Sequence, residues 1–327
     1  MAQQLSLHTD RISRFGTTAL CIPGYILVAG LLMAPAFSFA GSYLLINSGN
    51  SEIYTRFEHR LKTSLSDIDK TNSLVTRNVK TFTSHSAMSD FTEYDAVISA
   101  GIEASIAISN SRINNPRLMA MVPRQSFSQL STSGDISCKP ANCHVIYLGQ
   151  PVNRQLRLIK LALPNTKQIA VISSSYSAER LKEISDSASQ FGININHIKA
   201  ANEDSVLTEL NQNLSKSDML MAIPDPVVFN RNTARAILLS AFHQHIPLFA
   251  YSRSFVRAGA TLGIYSTPED IAQHVAELIS HNSSISAAPH ALYPKYFTID
   301  INRRAADALD ISIPDRQYLE KRLKTDE

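Results

Sequence analysis

Residues 150–193 constrain the fold most, because they set one short apolar run between two amphipathic segments. Leu156, Ile159 and Leu163 recur at helical spacing, and Pro164 with Asn165 ends that helix. Ile169, Ala170, Val171 and Ile172 then form an unbroken apolar stretch, the pattern of a strand covered on both faces and hence of a parallel sheet. Ser173, Ser174, Ser175, Tyr176 and Ser177 follow as a polar turn whose hydroxyls can cap the next helix. Leu181, Ile184, Ala188 and Phe191 mark that helix's inner face, and Gly192 stops it.

The same unit recurs. Residues 43–46, 95–99, 219–223 and 247–250 read as strands that end at polar or glycine turns, and residues 118–122 lead into Pro123 and a polar stretch. Helical faces such as Ile53, Phe57 and Leu61, or Ala234, Ile237, Leu238 and Ala241, alternate with the strands. Ile193, Ile195 and Ile198 suggest an edge strand, and residues 128–142, rich in Ser, Gly, Pro and Asn, read as a surface excursion. Alternating β and α segments predict an α/β fold of two doubly wound parallel-sheet lobes, about 41–148 and 152–255, with a third segment from Gly259 on that rejoins them.

The chain has 327 residues, enough for two domains, and its 44% hydrophobic content can bury a sizeable core. A net charge of +3, with Lys and Arg dispersed, gives no sign of a nucleic-acid or anionic-membrane partner. Arg11 and Arg14 precede the apolar residues 26–39, and Ser38 and Ala40 have the small-x-small spacing of a signal peptidase site. Residues 1–40 therefore read as a signal peptide cut after about Ala40, which sends the protein to the periplasm. An uncleaved anchor is the alternative, disfavoured by Pro23, Gly24, Gly30 and Pro35 within the run. In that oxidising compartment Cys138 and Cys143 read as a small loop disulfide; a metal or redox pair is the other reading, although the spacing is not C-x-x-C and only His144 stands beside it.

In open α/β sheets ligands sit beyond the carboxyl ends of the strands, so the polar turns are the candidate site. In the first block these are Asn47, Ser48, Asn50 and Ser51, then Gly101 and Ala104, then Arg124; in the second they are Ser173, Ser174, Ser175 and Tyr176, then Asp225, then Tyr251. Asp225 stands out, held between Pro224 and Pro226 at the end of an apolar strand, where it can accept hydrogen bonds from a ligand or cap the following helix. A Gly-x-Ser-x-Gly elbow, a phosphate-binding loop and a dinucleotide fingerprint are all missing, so no catalytic residue and no cofactor is implied. His243 and His245 do not share a helix face, and no metal site is read from them. A hydrolase would need a His within reach of Ser173, Ser174 or Ser175 and an acid behind it.

Four stretches, YDAVISAGIEAS at 94–105, QLRLIKLALPNTKQIAVIS at 155–173, AGATLGIYSTPEDIAQHVAELI at 258–279 and YFTIDINRRAADALDISIP at 296–314, resemble in order and spacing the substrate-binding proteins of bacterial ABC transporters. The resemblance is to the type I periplasmic-binding fold, in the branch associated with aromatic amino acids and similar small ligands. It implies three crossovers near 148–152, 255–264 and 290–296, with lobe 1 made of 41–150 and about 260–290 and lobe 2 of 151–259 and about 291–327. It further implies a monomer that closes on a small polar ligand and is recognised by an ABC permease in the inner membrane, and no enzymatic activity. A sensor of the same fold that signals to a membrane receptor is the alternative, with an exported hydrolase behind it. Two turns depart from the family pattern: IPDPVVFN keeps Asp225 but flanks it with prolines, and PRQS puts Arg124 where an Asp-Pro pair is usual, which suits either an anionic ligand or a simple exposed arginine.

Overall fold

A computed structural model describes residues 41–81, 91–111, 113–139, 142–280 and 290–325. The expected signal segment and its cut after Ala40 lie outside them. The first sheet contains β1 (Ser42–Asn47), β2 (Ser73–Asn78), β3 (Ala96–Ala100), β4 (Arg117–Pro123), β5 (Cys143–Leu148) and β11 (Ala291–Leu292). Their order is β11-β5-β4-β3-β1-β2 and every pairing is parallel. The second holds β6 (Gln168–Ser173), β7 (Asn194–Lys199), β8 (Met219–Met221), β9 (Leu248–Ala250), β10 (Leu262–Tyr265) and β12 (Thr298–Ile301), in the order β12-β10-β9-β8-β6-β7. Only β12 runs antiparallel, against β10.

Each sheet is apolar on both faces, as the unbroken runs require. In β1, Tyr43 and Leu45 pack under α1 (Glu52–Ile68) and α9 (Pro268–Ser280), while Leu44 and Ile46 face α2 (Ile102–Ser109) and α3 (Arg124–Ser133). In β6, Ile169 and Val171 pack against α4 (Val152–Ala162), α5 (Ala178–Ala188), α10 (Arg303–Ala308) and α11 (Arg316–Thr325). Its alternate residues Ala170 and Ile172 face α6 (Val206–Asn213), α7 (Ala234–His243) and α8 (Arg253–Ala258). At about 1.5–3 kcal/mol for each fully buried large aliphatic chain, these four clusters dominate the stability of the two lobes.

The chain crosses between lobes three times, after Leu148, after Tyr265 and after Leu292. The second crossing falls later than the expected 255–264. There α8 continues the second lobe and β10 pairs with β9 and β12, so residues 260–265 stay with that lobe. Likewise β11 at residues 291–292 remains in the first sheet through its pairing with β5. Part of the expected surface excursion is helical as well: Phe127 and Leu130 sit one turn apart in α3 and pack on the first-lobe core, and that apolar pair outweighs the serines around it. All three crossings leave from, and arrive at, the carboxyl edges of the parallel strands. Leu148 and Tyr265 close β5 and β10, and Thr298, where β12 begins, pairs with Tyr265. The two carboxyl edges therefore share one set of connections, with the cleft between them.

Candidate ligand-binding cleft

On the second-lobe side, the short strand β8 runs on through the buried Ala222 and Ile223 to Asp225, which is 2% exposed. Its carboxylate accepts hydrogen bonds from Ser174 N (2.8 Å), Ser174 Oγ (2.9 Å), Ser177 Oγ (2.5 Å), Val227 N (3.0 Å) and Val228 N (3.2 Å). A carboxylate offers about four lone-pair sites, and these donors fill them. Of the two roles open to Asp225, the structure shows the cap: it holds the turn after Pro226 and ties the ends of β6 and β8 together. Ser174 is spent in the same network, since its Oγ also accepts from Tyr176 N at 3.1 Å. What remains at the rim is Ser175, exposed, and Tyr176, half-buried. Tyr251, closing β9, packs edge-on against Phe229, with ring centroids 6.4 Å apart, and lies 5.3 Å from the Phe255 ring. Burial, with the Asp225 carboxylate nearby, pushes its hydroxyl pKa up to about 12.

Ser173 does meet a histidine: its Oγ lies 2.9 Å from His197 Nε2 on β7. Burial, helped by Lys199, lowers the His197 pKa. Among the described residues no carboxylate bonds the other ring nitrogen, and Ser173 is 1% exposed, too deep for a substrate to reach. The pair lacks the third member that orients a catalytic histidine.

On the first-lobe side, Gly101 adopts φ 92° and ψ 175°, a region open essentially to glycine alone. A Cβ there would come within 2.4 Å of the Tyr54 hydroxyl and 2.6 Å of Ser48 Oγ. The close approach lets Ser48 Oγ accept from Ala104 N at 2.9 Å, capping α2 from a neighbouring turn, while the Ala104 side chain is wholly buried. Asn47 turns toward α1, where its Nδ2 lies 3.4 Å from Glu58 Oε2. Asn50 accepts from Asn78 at 2.5 Å, and Ser51 caps α1 through its backbone carbonyl, which receives Tyr54 N. Tyr54 is a cleft residue the sequence reading missed. Its signal is an aromatic in the first helical turn after the polar loop.

Arg124 does not stand free for an anionic ligand. It forms a 2.6 Å ion pair with Glu183 of α5, joining the two lobes, and Glu183 is also held by Arg180 at 2.9 Å. Arg180 in turn donates to Gln150 O (2.9 Å) and Gln155 Oε1 (2.7 Å). Behind this clasp, the buried Gln150 donates to Ser266 Oγ at 2.7 Å, Ser266 donates to Tyr296 O at 2.5 Å, and Arg154 bridges Gln150 Oε1 and Pro294 O. Residues from all three crossings thus join a single hydrogen-bonded network. The Cys138–Cys143 disulfide is present; it sits at the amino end of β5, at the opposite edge of the sheet from the cleft. Among the described residues, no group of three or more His, Cys, Asp or Glu is arranged to hold a metal ion.

A family model described as ABC transporter substrate binding protein matches residues 91–321. No curated protein sequence matches the chain. Among solved structures, the ligand-free, open form of CD0873, a substrate binding protein with adhesive properties from Clostridium difficile, aligns with a TM-score of 0.66 and 16% identity, covering 85% of this chain and 97% of that one. An ABC domain in complex with L-Trp from Streptococcus pneumonia aligns at 0.57 and 16% identity, covering 86% and 98%. A periplasmic ribose ABC transporter protein from Conexibacter woesei aligns at 0.52 and 10% identity, covering 84% and 96%. At these identities the structural likeness establishes the shared two-lobed fold. The family match, which spans well over half of the sequence, establishes more: the chain belongs to the ABC transporter substrate binding protein family.

Proposed function

We propose that this protein captures a small polar solute between its lobes and hands it to an ABC permease in the inner membrane, working as an exported periplasmic monomer and not as an enzyme. The observation that carries this reading is the set of three crossings that join carboxyl edge to carboxyl edge. Rotation about them brings the polar turns of one lobe onto those of the other while each core stays intact. A ligand that touches both walls binds the closed form better, and that differential affinity is what shifts the population.

The groups left to meet a ligand are Ser175 and Tyr176 from the second lobe and Asn50, Ser51, Tyr54 and the unpaired Oδ1 of Asn47 from the first. They are uncharged donors and acceptors with aromatic rings beside them. The start of α1 adds free backbone amides and the positive end of the helix dipole, which suit a carboxylate. An amino acid matches this set, and L-Trp, bound in the pneumococcal relative, is the first probe. Asp225, Ser174 and Gly101 serve by shaping the turns that present these groups.

The test is a thermal-shift screen of the purified mature protein against amino acids and related metabolites, with native mass spectrometry for any ligand carried through purification. A true ligand at a hundredfold excess over its Kd adds about 2.7 kcal/mol of stability. If no such molecule stabilised the protein, solute capture would have to be given up. Stoichiometric labelling of Ser173 by an activated phosphonate would restore the hydrolase reading.

A further inference from the structure

A groove of about 600 Å3 lies on the second lobe, lined by Arg253, Val256, Arg257, Asp300, Arg303 and Arg304 among others. It runs between α8 and the edge strand β12. Because β12 is antiparallel to β10, Ile301 pairs with Leu262, so Arg303 and Arg304 just beyond it stand at the edge remote from the cleft. The groove therefore descends the flank of the lobe, starting at Arg253 near the cleft rim.

Four guanidiniums line it against one carboxylate, and that carboxylate is engaged: Asp300 accepts from the Tyr265 hydroxyl at 2.5 Å, which itself receives Arg253 Nε at 3.0 Å. Arg303 donates to the backbone carbonyls of Ile313 and, at 3.1 Å, Pro314, which fixes its position without neutralising its charge. Arg257 and Arg304 are exposed and make no ion pair or hydrogen bond among the described residues. Guanidinium forks match phosphate and carboxylate oxygens two at a time, and an excess of positive charge in a groove favours a ligand with several negative charges.

We propose that this groove binds a small phosphate-bearing polyanion, with Arg257 and Arg304 as the contacting groups and Arg253 and Arg303 as fixed positive walls. The probe is inorganic pyrophosphate, titrated calorimetrically into the mature protein at low ionic strength. The expected result is saturable binding that weakens at least tenfold in Arg257→Gln/Arg304→Gln and is partly retained in Arg257→Lys/Arg304→Lys. Since both side chains are exposed and unpaired, the glutamine variant should keep the wild-type melting temperature and so report on binding alone. No binding, binding unchanged in the glutamine variant, or the same effect from chloride at matched ionic strength would overturn the proposal. A second arm separates the sources of phosphate: sedimentation with phosphatidylglycerol vesicles in the absence of any pyrophosphate binding would assign the groove to a lipid surface and refute the small-molecule site.

Discussion

Replacing Asp225 by Ala separates the two roles its carboxylate could have. In the structure five donors converge on it: the backbone amides of Ser174, Val227 and Val228 and the hydroxyls of Ser174 and Ser177. A hydrogen bond to a charged acceptor contributes about 1.5–3 kcal/mol, and a buried donor left unpaired costs about 1–3 kcal/mol. These terms do not add, because water entering the vacated space re-satisfies some amides and the two hydroxyls can turn to other acceptors. Counting the three backbone amides as the groups that cannot reorient, we expect a loss of about 3–5 kcal/mol, or a fall in Tm of roughly 10 °C for a protein of this size. Asp225→Asn should fall between, since its oxygen still serves Val227 and Val228 while its NH2 meets the Ser174 amide donor to donor. Differential scanning calorimetry of both variants, with ligand affinity measured on the folded protein, decides the matter. An Asp225→Ala protein that melts like the wild type but has lost a hundredfold or more in ligand affinity would refute the capping role and return the carboxylate to the binding site.

Gly101→Ala forces a side chain into a glycine-only conformation and against Tyr54 and Ser48, so urea denaturation should show a loss of about 2–4 kcal/mol, partly recovered by adding Tyr54→Ala. His274 is buried in α9 and accepts Lys295 N at its Nδ1, and burial pushes its pKa down to about 4. The folded value lies below the unfolded one, so the stability this neutral ring contributes is present above about pH 6.5 and lost as pH falls toward 4. The stability difference between wild type and His274→Asn should therefore shrink by about 2 kcal/mol between pH 7 and pH 5; a constant difference would mean the ring does not titrate in this window. Arg124→Gln removes the interlobe clasp without touching the groups assigned to the ligand, and calorimetric titration should register less than about a fivefold change in affinity. A hundredfold change would place Arg124 in the ligand's reach.

The elements the sequence declared were those whose signal is local. The run from Ile169 to Ile172, the polar turn after it and the stop at Gly192 lie within one helix-strand-helix unit, and the structure keeps all three, with Gly192 at φ 63°. The cysteine pair, five residues apart, was equally readable. What escaped depends on distance along the chain. The sequence leaves Asp225 open between ligand contact and cap because its donors Ser174 and Ser177 lie 51 and 48 residues away, and no pattern around IPDPVVFN announces them. Arg124 stays open in the sequence between an anionic-ligand contact and an exposed arginine because its partner Glu183 belongs to the other lobe. The second crossing was misplaced for a related reason: Gly259 reads as a break, yet the pairing of β10 on both sides holds the chain in the second sheet until Tyr265.

The same distances decide what can control closure. Arg124 is 50% exposed and Glu183 27%, so their ion pair belongs to the surface class that contributes about 0–1 kcal/mol. Breaking it changes the ratio of two lobe arrangements by no more than about fivefold, whereas moving a population from mostly open to mostly closed takes about 5.5 kcal/mol. On the proposed reading, the clasp would trim the equilibrium and the ligand would set it. The bonds of Gln150 are of another kind. Gln150 is 2% exposed and Ser266 9%, and parting them would leave buried polar groups unpaired at a cost of about 1–3 kcal/mol for each group. The crossings should thus move as one bonded bundle, with the rotation taken up where each strand leaves it: at Gly149, whose φ of 124° marks backbone freedom, at Thr267 before α9, and near Phe297 before β12.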